Sequence, residues 1–130
     1  MRAGIFIEEG ARWNQGFGNV ATGSQGDRPD GGNGLWVWAN ATGPTAQNTY
    51  FCNRSENNKR NLSCGTFNQI TTQSTSHNFI FNNILRNGAN GLVSQPNGTE
   101  NYYSQNVVTG NTTNYGSLAS AVFFNSAVVP

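Results

Sequence analysis

The residues that could do acid–base or metal chemistry are few and lie far apart along this chain. The ionisable side chains are six carboxylates, His77, Lys59 and six arginines. An enzyme that moves protons needs such groups to converge on one point, and no stretch of the sequence gathers them. We therefore predict no catalytic residues and no cofactor, and the composition favours a non-enzymatic role over catalysis.

One loop has the residue types of a cation site. Asp27 and Asp30 stand three residues apart in a glycine-rich segment, where carboxylate and carbonyl oxygens could bind Ca²⁺. The same residue types also build ordinary charged turns. We take the turn as the better interpretation and expect no metal.

Two tryptophans could form a ligand contact. Trp36 and Trp38 are two residues apart, so within a strand they share one face. An outward face would let their rings stack on sugars, and an inward face would make them part of the core. The apolar Val37 between them leaves both directions open.

Two cysteines and five glycosylation sequons bear on the compartment. Cys52 and Cys64 are separated by eleven residues, and we predict a disulfide worth about 2–3 kcal/mol; the alternative is one core thiol and one surface thiol. The Asn-x-Ser/Thr sequons predict an extracellular or cell-surface glycoprotein, and the one that closes a strand, Asn53, is the weakest of them. They lie at Asn40, Asn53, Asn61, Asn97 and Asn111.

Composition excludes several classes of partner. The 130 residues are predicted to form one domain, 1–130, with a net charge of +1 and 10% charged residues. No basic patch is available for nucleic acid, and no run approaches the roughly 18 apolar residues of a membrane span. Only 35% of residues are apolar, and 21 are asparagine. The apolar residues fall in short, strand-length runs bounded by turn residues, which indicates an all-β fold rather than disorder.

A two-part signature recurs along the chain. One part is a glycine followed by alternating apolar residues, and the other is an apolar run that closes on an asparagine. The two parts alternate without exception, which is typical of a solenoid. In such a coil like residues stack on like, so we predict an inward asparagine ladder of Asn19, Asn53, Asn83 and Asn106. The glycines are residues 4, 34, 65, 91 and 116.

The predicted fold is therefore a parallel β-coil of about four to five turns. Phe51, Tyr103 and either Phe81 or Ile80 are expected to stack inside it. An antiparallel sandwich is the alternative, because several Asn-Gly pairs could form hairpin turns. Regular Thr-x-Thr ranks, which an ice-binding face needs, are absent.

Residues 78–93, NFIFNNILRNGANGLV, resemble the right-handed parallel β-helix repeat of pectate lyases, alginate epimerases and lyases, tailspikes and bacterial surface proteins. The likeness is clear over residues 78–110 and looser over 4–77. It implies a right-handed coil. The family's enzymes place carboxylates on exposed strand faces, but no D-x-D or D-P-H group is present here, so no catalytic residue carries over. Fold likeness alone assigns no function.

The sequence supports two hypotheses about function. A strand stands near each end without a polar cap, so the chain is expected to be either a segment of a longer solenoid or a protomer that stacks head to tail. The first hypothesis is an extracellular structural building block that assembles into a fibre. The second is a carbohydrate-binding or carbohydrate-active β-helix module, which would have a polysaccharide as its partner.

Overall fold

The described part of the chain consists of short strands and contains no helix. The computed structural model describes residues 3–7, 10–26, 31–39, 44–64, 75–94, 98–116 and 121–124. Its strands are β1 (Ala3–Ile7), β2 (Gln15–Phe17), β3 (Val20–Thr22), β4 (Asn33–Val37), β5 (Thr45–Ala46), β6 (Thr49–Phe51), β7 (Arg54–Glu56), β8 (Arg60–Cys64), β9 (Thr75–Ser76), β10 (Phe79–Phe81), β11 (Ile84–Arg86), β12 (Asn90–Ser94), β13 (Gly98–Thr99), β14 (Asn101–Ser104), β15 (Val107–Thr109), β16 (Thr113–Gly116) and β17 (Ala121–Phe124).

These strands form four sheets, and every strand pairing in the described residues is parallel. The chain visits the sheets in a fixed cyclic order and adds one strand to each at every visit. The all-β, parallel prediction is confirmed, the antiparallel alternative is wrong, and the architecture is consistent with a β-solenoid. Sheet 1 is β1-β4-β8-β12-β16, sheet 2 is β2-β6-β10-β14-β17, sheet 3 is β3-β7-β11-β15, and sheet 4 is β5-β9-β13.

The three-residue strands of sheets 2 and 3 point their side chains outward, inward and outward. In β10 the central Ile80 is 1% exposed, whereas the flanking Phe79 and Phe81 face outward. This alternation is the period of two that any strand imposes. The strands of sheets 2 and 3 are short because a residue in the left-handed backbone region turns the chain at a corner before and after them. The corner residues are Trp13, Gln47, His77 and Glu100 before sheet 2, Gly18, Cys52, Asn82 and Gln105 before sheet 3, and Gly23, Asn57, Asn87 and Gly110 after it.

Parallel register places equivalent residues in columns through the core. Leu35, Leu62 and Leu92 pair across sheet 1, and all three are fully buried. A second column of inward side chains crosses sheet 2, namely Tyr50, Ile80 and Tyr103. Stacking of similar side chains therefore fills the interior, as expected for parallel strands about 4.8 Å apart.

The predicted aromatic stack is correct for Tyr103 and Ile80 and wrong for Phe51 and Phe81. Those two phenylalanines stack on each other outside the core, with ring centroids 5.3 Å apart. They face outward because each lies one residue beyond the inward residue of its strand. A sequence pattern of three consecutive apolar residues did not reveal which of them points inward.

The glycine half of the repeat is also offset from the predicted positions. Asn61, rather than Gly65, takes the position equivalent to Gly34 and Gly91 in sheet 1; Gly65 lies outside the described residues. Asn61 fits there because Gly88 lies beside it, and a Cβ on Gly88 would come within 2.8 Å of its Nδ2. Gly116 pairs with Val93, two positions further along the strand.

Candidate interaction surfaces

The structure describes only some of the ionisable residues considered above for acid–base or metal chemistry. Asp27 and Asp30 lie outside the described residues. His77 and Glu100 form an exposed pair, with Nε2 and Oε2 3.2 Å apart at neighbouring corners. Within the described ranges, no group of three metal-ligating side chains comes together.

Among the described residues, an ion-pair cluster of two arginines and one glutamate lies on the outer face of sheet 3. Arg86 Nε donates to Glu56 Oε2 at 2.7 Å, and Arg54 Nε lies 3.5 Å from Glu56 Oε1. The hydrogen bond from Arg86, aided by both arginine charges, lowers the pKa of Glu56. The lowered pKa keeps this carboxylate ionised, which favours a structural ion pair over a role in proton transfer.

The predicted disulfide between Cys52 and Cys64 is not formed, and both thiols are free. Cys52 is exposed at the corner between sheets 2 and 3, whereas Cys64 is buried in the core on β8 of sheet 1. Burial raises the pKa of Cys64 to about 12, and a hydrogen bond with Tyr103 acts in the opposite direction. The two residues belong to different sides of the fold, which is why proximity in sequence was misleading.

Three of the five sequons have asparagines whose amide nitrogen is already engaged. Asn53 and Asn61 are 1% and 0% exposed, so the fold has no room for a glycan on either. Asn111 is half-buried and donates through Nδ2 to the Leu85 carbonyl and to Asn114 Oδ1. Asn40 and Asn97 lie outside the described residues.

The tryptophan pair does not form an open platform. Trp36 lies between Leu35 and Val37, which point into the core, so its ring is on the opposite face of sheet 1. That ring is nevertheless only 2% exposed. It stacks on Phe6 with centroids 4.7 Å apart, and Trp38 packs beside it at 5.8 Å. In this arrangement the Trp36 ring therefore has no open face for a sugar.

The four asparagines of the ladder expected from the repeat are joined directly to one another. Asn19, Asn53, Asn83 and Asn106 lie at the corner between sheets 2 and 3. The first three each donate their backbone N–H and their Nδ2 to the Oδ1 of the next one along the chain, over 3.0–3.1 Å. Nδ2 of Asn53, Asn83 and Asn106 donates in addition to a backbone carbonyl of an earlier strand of sheet 2, namely that of Gly16, Tyr50 and Ile80 respectively. The side-chain amides of the buried ladder asparagines thus have the hydrogen-bond partners that buried polar groups require.

A second ladder, at the corner before sheet 2, was missed by sequence reasoning. Asn14, Asn48, Asn78 and Asn101 repeat the same hydrogen-bond pattern over 2.8–3.2 Å. Each precedes a member of the first ladder by five residues. That spacing, one short strand plus one corner, was the available signal.

The corner after sheet 3 alternates large and small residues at its ladder position. Asn58 and Asn111 carry ladder side chains here, whereas Ser24 and Gly88 take the equivalent positions next to them. Asn61 spans the gap at Gly88 by accepting from Asn58 Nδ2 at 3.1 Å and donating to Asn111 Oδ1 at 2.7 Å. One side chain from the neighbouring strand thus completes the network.

The ladders have a direction, and their acceptor end is open. Donors always point from the earlier to the later member, so Asn14 and Asn19 offer side-chain oxygens that accept no hydrogen bond from the described residues. The adjoining strands β2 and β3 are the outermost described strands of sheets 2 and 3 at this end. Backbone groups along such an edge can pair with another strand.

The most exposed large hydrophobic side chains of the described residues lie at the same end. Trp13, Phe17 and Val20 are 74%, 63% and 56% exposed, more than any other large hydrophobic side chain in the described residues. All three belong to β2, β3 or the corner before β2. Open acceptors, edge strands and exposed apolar side chains therefore coincide, which is typical of an interaction site.

Comparison of the chain with models of protein families, with characterised proteins and with solved structures finds no match. None of the described segments is a helix of the length and hydrophobicity that crossing a bilayer would require.

Proposed function

We propose that this protein is an extracellular structural building block, a right-handed parallel β-helix of four to five turns that assembles end to end into a fibre. The observation that carries this proposal is the direction of the asparagine ladders. The side-chain oxygen of each interior asparagine accepts hydrogen bonds from the asparagine before it in the ladder. The first members, Asn14 and Asn19, have side-chain oxygens open for donors from a second molecule.

End-to-end contact would extend interactions that already hold the protein together. A strand added along β2 and β3 would satisfy their edge groups and cover Trp13, Phe17 and Val20, the most exposed apolar side chains of the described residues. Such a contact is heterologous, and because the molecules would stack along the coil axis it does not close into a ring, so repeated addition builds a filament.

The carbohydrate alternative has weaker support in the described residues. The buried Trp36 cannot stack on a sugar, and the middle ring of the outward phenylalanine stack, Phe51, has both faces covered by Phe17 and Phe81. The proposed extracellular location predicts a glycan at Asn40 or Asn97. The mass of the secreted protein before and after enzymatic deglycosylation tests this prediction.

Electron microscopy and sedimentation of the purified chain test the assembly. We expect filaments with a spacing near 4.8 Å along the axis. A protein that stays monomeric in sedimentation at all accessible concentrations refutes the proposal.

A matched pair of variants locates the contact. Val20 on the edge strand β3 and Ile84 on the central strand β11 both face outward beside Arg54. Val20→Lys should shorten filaments or raise the concentration needed to form them, because charge on an edge opposes pairing. Ile84→Lys adds the same charge away from any edge and should assemble like the wild type. Equal loss in both variants would indicate lateral rather than end-to-end association.

A further inference from the structure

We propose that a cavity beside Ser104, on the outer face of sheet 2, binds one planar, uncharged aromatic ring that carries a hydrogen-bonding group, as in a small phenol. The cavity has a volume of about 330 Å³, and Phe79, Ile80, Phe81, Tyr102, Ser104 and Gln105 line it. The proposal does not depend on the fibre, because the site is complete within one molecule.

A stack of phenylalanine rings leads to this cavity. Phe17, Phe51 and Phe81 are in register on β2, β6 and β10. Their ring centroids are 5.3 Å apart at both steps, and the planes are inclined by 14° and 9°. Nearly parallel rings at this distance attract each other beyond the area they bury, so the column favours another ring at its next position.

The next position is occupied by a serine. Ser104 on β14 is in register with Phe81. Over the described side chains, the column therefore reads Phe, Phe, Phe, Ser along the sheet. A hydroxymethyl group cannot fill the space of a ring, and the cavity lies where the ring is missing.

The walls determine which ring would fit. Tyr102, stacked on Phe79 with centroids 5.0 Å apart, forms an apolar side wall. Ser104 and Gln105 contribute a hydroxyl-bearing and an amide-bearing residue to the lining, and none of the described lining residues is charged. The volume lies at the lower end of the roughly 300–1,000 Å³ found for ligand pockets. An uncharged ring with one polar substituent matches this size and chemistry.

Titration of the full-length protein with phenol and with cyclohexanol tests the inference, with the amide NMR signals of Ser104 and Gln105 as readout. The two alcohols share a hydroxyl and a similar size, but only phenol has a flat aromatic face. We expect saturable shifts with phenol and affinity roughly three- to tenfold higher than for cyclohexanol, from the stacking contribution. Equal affinities, or no saturable shift with phenol, would overturn the proposal.

Three variants complete the test. Ser104→Phe should fill the cavity and abolish the phenol shifts, and a thermal melt verifies that it folds. Thr109→Phe places the same ring on β15 of sheet 3 and should bind phenol like the wild type. Phe81→Leu keeps apolar volume without the ring face and should weaken phenol binding roughly three- to tenfold. Retained binding by Ser104→Phe contradicts the assignment, and binding of N-acetyltyrosinamide more than tenfold tighter than phenol would replace the small molecule with a protein side chain.

Discussion

Replacing one interior asparagine of the ladder should destabilise this protein far more than replacing an end member. Asn83 is 0% exposed, and its side chain takes part in four hydrogen bonds. Its Oδ1 accepts from the backbone N–H and the Nδ2 of Asn53, and its Nδ2 donates to the Tyr50 carbonyl and to Asn106 Oδ1. Asn19, at the open end, makes one side-chain hydrogen bond, to Asn53 Oδ1.

These counts give the expected magnitudes. A hydrogen bond contributes about 0.5–1.5 kcal/mol net, and a buried donor left alone costs more. Asn83→Ala removes all of these side-chain bonds and deprives the Asn53 N–H of its acceptor, so we expect a loss of about 4 kcal/mol in the free energy of unfolding. Asn19→Ala should cost about 1 kcal/mol, since a single half-exposed bond is lost.

Urea denaturation followed by circular dichroism measures both variants against the wild type. A difference of about 3 kcal/mol between the variants corresponds to roughly 1–3 M in the urea midpoint, for slopes of about 1–3 kcal/mol/M. The comparison requires that the slope be the same in all three proteins. If Asn83→Ala lies within about 1 kcal/mol of Asn19→Ala, the buried rungs do not stabilise the fold through their hydrogen bonds.

Three other contacts lead to measurable effects. A thiol reagent at pH 8 should modify one cysteine, the exposed Cys52, in the native protein and a second, the buried Cys64, only after unfolding. Glu56→Gln should remove a stabilisation that is present above the unfolded-state pKa of Glu56 and lost as the pH falls through its lower folded-state pKa, measured as the urea midpoint against pH. Gly88→Ala should cost about 1–3 kcal/mol, because its Cβ would lie 2.5 Å from a backbone oxygen.

Controls separate these effects from general damage. Cys52→Ser should reduce the number of native reactive thiols to zero, and fast modification of Cys64 in the native state would contradict its burial. For the pH dependence, Glu100→Gln is the matched exposed variant, and an identical profile in both would remove the special role of Glu56. Gly116→Ala, whose nearest neighbours are side-chain atoms 3.3 Å or more away, should be close to neutral.

Local features of the fold could be predicted from the sequence because they depend on near neighbours. Strand-length apolar runs, turn residues between them and a repeat of like residues were enough to indicate parallel stacking. The ladder positions Asn19, Asn53, Asn83 and Asn106 were accessible for the same reason, since each closes a strand at a recognisable corner. The second ladder, including Asn14 and Asn48, was equally available from its five-residue offset, although sequence reasoning missed it.

Tertiary structure alone decided the features that depend on contacts between strands 23 to 34 residues apart. Whether Trp36 faces the core or the outside, and what covers it, is set by the register of sheet 1. The separation of Cys52 from Cys64 reflects which sheet each joins, and Asn61 replaces the expected glycine because Gly88 leaves space beside it. In each case the side chain's surroundings are set by a residue on another strand of the stack. The order of residues along the chain does not show which residue that is.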